Sequence, residues 1–234
     1  MKRLSLLTLL FSLAFLLFFM LPPFLNQKFI PYPLMSVADV FDLFTPLVLL
    51  PFYWLIFRLD GKSTPTLGES LFFMVFAAFW VLGQGMHLAA NSIGHLLNGM
   101  ENTDIYNLGH FYDETLSHYL WHVGVVGLSG MLIYRQWRYP MAEGKTSKLL
   151  GTPAGIIYGF TFFALIIEGA TTPLGVTFTI LVLLFMVIFA RKGLIQQPVL
   201  FFFLVAYLLA LLLFTGWGIY WQGLPEFSEV GIID

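Results

Sequence analysis

Seven runs of about 20 predominantly apolar residues divide this chain, and they restrict what it can become. A run of that length crosses the hydrocarbon core of a bilayer as a helix. Lipid offers no water to satisfy peptide groups, so each run must close its own backbone hydrogen bonds, as a helix does. The runs are Leu4–Leu25, Met35–Phe57, Ser70–His95, Glu114–Tyr134, Leu150–Gly169, Thr172–Ala190 and Pro198–Trp221. Turn chemistry marks the joins: Pro22-Pro23, Asp60-Gly61, Gly151 with Pro153, Thr172-Pro173 and Gly193. The expectation is an all-α polytopic integral membrane protein, seven transmembrane helices in one bundle domain over residues 1–234. With 59% hydrophobic and only 10% charged residues, too few polar side chains remain to coat a soluble domain of 234 residues. Lys2 and Arg3 ahead of a leucine-rich run also suit a signal peptide. That run is long and no small-x-small cleavage site follows it, so it is read as a retained helix.

Basic residues orient the helices, because Lys and Arg accumulate on the cytoplasmic side. Lys2, Arg3, Arg58, Lys62, Arg135, Arg138, Lys145, Lys148, Arg191 and Lys192 fall on one side, and of the 11 basic residues only Lys28 falls on the other. The expected topology has the N-terminus cytoplasmic and the C-terminus outside, in a plasma or inner membrane. The external tail carries Glu226, Glu229 and Asp234. A net charge of −2 gives no reason to expect a nucleic-acid partner. The chain has no cysteine, which excludes disulfides and thiolate metal sites and leaves the redox compartment unread.

Within this apolar frame the five histidines are concentrated in two stretches. One reads His87-x3-Asn91-x3-His95; the other, after His110, reads Asp113-Glu114-x3-His118-x3-His122. A spacing of four residues stacks side chains on one face of a helix. The topology puts both columns at the outer ends of spans three and four, with Glu168 ending span five and Asp39 and Asp42 beginning span two. At about 1.5 Å per residue, His87 lies about 6 Å below the outer edge, between His118 at about 5 Å and His122 at about 10 Å. Antiparallel neighbours 8–10 Å apart then bring these rings together.

Burying imidazoles and carboxylates in lipid is costly unless they have partners or a task. Three protein ligands with one open position is the arrangement of catalytic zinc. His87, His118 and His122 are the expected ligands, with Asp113 and His95 as further donors. Glu114, which shares a helix face with His118 and His122, or Glu168 is the expected general base. Gln84, Asn91 and Ser117 are expected to orient the rings through hydrogen bonds. Zinc is the first expectation and iron the second, since imidazole with carboxylate suits both. The site's depth suggests membrane lipids or a lipid-like substrate entering from the bilayer, and hydrolysis by metal-activated water. Asp39, Asp42 and one of Asp113 and Glu114 also suit the positive end of a helix dipole. Tyr112, Tyr119 and Trp121 flank the site as walls for an acyl chain, and Asn98–Tyr112 reads as a connecting loop or lid. Trp217, Tyr220 and Trp221 suit an interfacial aromatic belt.

Seven spans with a buried His-x3-His pair resemble, in that one motif, the membrane zinc hydrolases that include alkaline ceramidases and adiponectin receptors. In that superfamily the pair lies on the last helix, after an earlier Ser-x3-His element. Here span seven has no histidine and the pair lies on span four, so the likeness is one of chemistry. Other readings of the same residues are a di-iron oxidase or hydroxylase, a proton- or ion-coupled transporter and a b-type haem protein held by facing histidines. Homo-oligomerisation or a role as the structural subunit of a larger membrane complex is also compatible with the short loops.

Overall fold

The computed structural model describes residues 2–59, 61, 63–141, 146–191 and 193–232. The expected turn residue Asp60, the basic residues Lys62, Lys145 and Lys192, and Asp234 lie outside the described residues. The described chain is predominantly helical, with no strand; a single bridge joins Lys28 and Ser36. Its helices are α1 (Lys2–Met20), α2 (Val37–Asp42), α3 (Phe44–Leu59), α4 (Leu67–Gly94), α5 (Asp104–His110), α6 (His118–Arg138), α7 (Lys148–Glu168), α8 (Thr172–Ile188) and α9 (Pro198–Trp221). Six helical segments among the described residues are long and apolar enough to cross a membrane, and α8 is a seventh, shorter apolar helix. The chain is an integral membrane protein, and the seven-span reading is compatible with this count.

Local chemistry explains the starts. Ser36 with Asp39 and Thr66 with Glu69 form capping boxes, in which side chain and backbone satisfy each other's free groups. Asp39 is thus a cap residue, as expected for an acid at a helix start. Pro198 begins α9, where a missing N–H costs nothing.

Span four departs from expectation. It begins ten residues before Glu114, capped by Thr103, and runs through α5, a π-helical segment at Phe111–Ser117 and α6, 35 residues from Asp104 to Arg138. Asp113 and Glu114 therefore lie inside a helix and cap nothing. The expected loop at Asn98–Tyr112 shrinks to a short turn, because Asp104–His110 is helical.

The largest packing surfaces are α7 with α9, α4 with α6 and α1 with α7. Up-and-down connectivity gathers Lys2, Arg3, Arg58, Arg135, Arg138, Lys148 and Arg191 at one end of the bundle, compatible with the expected orientation. That end is tied by Arg135, fully buried on α6. Its guanidinium donates to Glu69 (2.8 Å), to the Phe57 carbonyl (3.1 Å) and to the Ser63 carbonyl (2.9 Å). Halfway along, the hydroxyls of Tyr53, Ser129 and Tyr158 meet within 2.9–3.1 Å, joining α3, α6 and α7 inside the apolar core. Phe202 and Phe203 are buried packing residues of α9.

Candidate functional site

At the other end of the bundle, glycine lets two helices approach until their histidines meet. A methyl group at Gly83 of α4 would overlap the Trp121 backbone nitrogen and the Ser117 carbonyl oxygen. At Gly124 of α6 it would stand 2.7 Å from the Trp80 backbone nitrogen and 2.8 Å from the Phe76 carbonyl. Such close contact is the usual reason for small residues between membrane helices. One turn beyond Gly83, His87 faces His118 with ring centroids 4.9 Å apart; the His118 and His122 rings stack at 5.8 Å.

The π-helical turn then decides which acid joins them. Widening the helix at Phe111–Ser117 inserts an extra residue into the turn and shifts the preceding register. Ser117 donates to the Asp113 carbonyl within this turn. Asp113, buried, reaches across to α4, its Oδ1 lying 2.8 Å from His87 Nδ1, an ion-pair distance outside hydrogen-bond alignment. Glu114 stays on its own helix, half-exposed, its Oε2 4.0 Å from His118 Nδ1.

His122 is completely buried. Its Nδ1 shares a hydrogen bond of 2.5 Å with Thr171 Oγ1 in the turn after α7, while its Nε2 has no protein partner. Gly169 makes room for it: a methyl there would overlap His122 Cε1. The same turn holds Ala170 at φ 49°, a left-handed conformation that side chains rarely adopt. Glu168, the last residue of α7, accepts from the Phe227 backbone N–H at 2.9 Å. The segment after α9 thus folds back over the site. It is further held by Trp217 Nε1 donating to the Pro225 carbonyl (2.9 Å) and by Phe227 packing on Trp217 and Phe163. Glu226 beside it has its carboxyl pushed up to about 7 by partial burial and by the charges of Glu229, Glu168 and Glu114.

These groups line one cleft of about 640 Å³. Its polar end is His87, Glu114, His118, His122, Glu168 and Asp42. Its apolar arm runs along the ends of α1 and α7, past Phe19, Phe24, Phe160 and Leu165.

Not every expected residue reaches the cleft. His95 is exposed at the end of α4, and His110 is exposed and stacks on Tyr106. Gln84 accepts from Trp80 Nε1 (3.2 Å), Asn91 donates to Asp39 (3.5 Å), and Ser117 bonds its own helix; the hydrogen bonds of all three lie away from the rings they were expected to orient. Asp42 ends α2, just ahead of α3, and lines the cleft. Of the three flanking aromatics Trp121 lines the cleft, while Tyr112 and Tyr119 are exposed. Thr171, Phe227 and the end of α1 carry no local signature of a site and come together only through the fold. Among the described residues, no three His, Asp or Glu side chains stand in a ready-made metal-binding arrangement. No family model, curated protein or solved structure matches this chain.

Proposed function

We propose that this chain is an integral-membrane hydrolase whose cleft admits a lipid-like substrate and whose histidines hold a divalent metal ion, zinc first and iron second. The reading rests on one observation: three imidazoles from two helices crowd the polar end of an otherwise apolar cleft. Two imidazoles on one tetrahedral ion have ring centroids about 5.3 Å apart, given zinc–nitrogen bonds of about 2.1 Å. The neighbouring rings stand at 4.9 Å and 5.8 Å, within about half an ångström of that spacing. Ligating imidazoles usually hold an oxygen with the nitrogen that does not bind metal. His122 on Thr171 follows that pattern, and Asp113 stands close enough to His87 Nδ1 to take the same part, which leaves Nε2 of both rings for the ion. Asp113 then orients a ligand and is not one itself.

Held there, an ion would supply the Lewis acidity that activates water for hydrolysis of an ester, amide or phosphoester carried in by its hydrocarbon part. Glu114, beside His118 and open to the cleft, would accept the water's proton and return it to the leaving group, so that water is divided between the two products. The histidine end would face the outer leaflet in the topology expected from the basic residues. Elemental analysis of detergent-purified protein tests the proposal. The expected result is about one zinc or iron per chain in the wild type and none in His118→Ala or His122→Ala, with lipid-ester hydrolysis lost in both. Wild-type protein that retains no divalent metal, or that keeps it in both variants, overturns the reading.

A further inference from the structure

The polar lining of the cleft is made of carboxylates and imidazoles. Asp42, Glu114 and Glu168 line it, Asp113 stands behind His87, and neither Lys nor Arg is among its walls. Four carboxylates leave the polar end negative even with one divalent ion bound. The surroundings reinforce this: Asp39, Glu101, Asp104, Glu226 and Glu229 lie at the same end, where Lys28 is the only basic residue among those described. Phosphate- or carboxylate-headed lipids would meet this field without a Lys or Arg side chain to pair with. An ammonium head would meet its complement. Trp121 adds to that complement: it lines the cleft, with its ring 5.1 Å from His122 and 6.0 Å from His87, and aromatic faces attract alkylammonium groups. Five buried polar atoms around these rings, His87 Nδ1, Asp113 Oδ1, His118 Nδ1, Trp121 Nε1 and His122 Nε2, have no hydrogen-bond partner in the protein.

We infer that the cleft selects an amphiphile with a positively charged head, seated among Asp42, Glu168 and Trp121, with its hydrocarbon chain along the arm formed by α1 and α7. This rests on the cleft being the ligand site of the function proposed above, but not on the metal.

The test uses full-length protein in nanodiscs of zwitterionic lipid. The probes are three spin-labelled alkyl chains of one length, ending in trimethylammonium, hydroxyl or sulfate, each corrected for partition into empty nanodiscs. The expected order is ammonium tightest and sulfate weakest, with at least about a tenfold gap between them that shrinks as salt screens the field. Asp42→Asn with Glu168→Gln should cut that gap to about threefold or less while leaving the hydroxyl probe's affinity within about twofold. Sulfate binding as tightly as ammonium to the wild type overturns the inference and needs no variant. A gap that persists in the folded double variant also overturns it. Metal content is read in the same preparations. Charge selectivity without metal would sink the metal reading and leave this one standing; metal without charge selectivity would do the reverse.

Discussion

His122 is gripped at Nδ1 by Thr171, while its Nε2 is buried without a protein partner. That asymmetry separates two kinds of substitution. Thr171→Val removes the oxygen that holds His122, Asp113→Asn removes the charge beside His87, and both leave all three imidazoles in place. Each should weaken zinc affinity by about 10–100-fold, read by competition with a chelator. His122→Ala should abolish binding. Unchanged affinity in Thr171→Val would mean the threonine contact plays no part in positioning the ring. The imidazoles were legible because four-residue spacing is a property of one helix. Thr171 was not, since it arrives from a turn 49 residues away and nothing around it signals a partner. The choice between Asp113 and Glu114 was also hidden. Regular helical spacing favours Glu114, and only the π-helical turn swings Asp113 to His87.

That turn is a property of the element, and it can be removed. Deleting Thr115 takes the extra residue out of Phe111–Ser117 and rotates everything before it by about 100° about the helix axis. Asp113 then leaves His87. The expected outcome is unchanged helix content by circular dichroism with metal affinity lost to the extent seen in Asp113→Asn. Retention of full affinity would show that the π-helical register does not matter to the site. The α4–α6 contact gives a second test at this scale. Gly83→Ala forces a methyl into the Ser117 and Trp121 backbone, an overpacking that should cost about 1–3 kcal/mol in thermal unfolding and widen the His87–His118 gap. Element boundaries were readable where apolar runs and proline agree: Pro198–Trp221 matches α9 at both ends. They were misread where polar residues interrupt an amphipathic helix, as at Asp104–His110, because low hydropathy looks like loop when the helix lies at a membrane's edge.

Across the whole molecule, the described Lys and Arg residues other than Lys28 lie at the end of the bundle away from the histidines, which the alternation of charge along the chain foretold. The closing of the site by the segment after α9 was not foretold, because it depends on a backbone N–H of Phe227 finding Glu168 across 59 residues. This closure should respond to pH. The Glu226 carboxyl is raised from 4.5 to about 7, so the seated tail binds more protons than the released one between those values. By linkage the seated form is then favoured at low pH, weakens as pH rises from about 4.5 through about 7, and changes little above that. Hydrogen exchange at Phe227 should accelerate across that window, and Glu226→Gln should flatten the profile. Exchange independent of pH after correction for intrinsic rates would show that Glu226 does not govern the tail.

The Arg135 knot at the opposite end gives this architecture a mechanical sense. With α3, α4 and α6 stapled together by one buried guanidinium, the bundle resembles a clothes-peg sprung at its base. The cleft bordered by α1 and α7 lies at the far end from that spring, so in the proposed reading a guest would enter there without prising the staple apart.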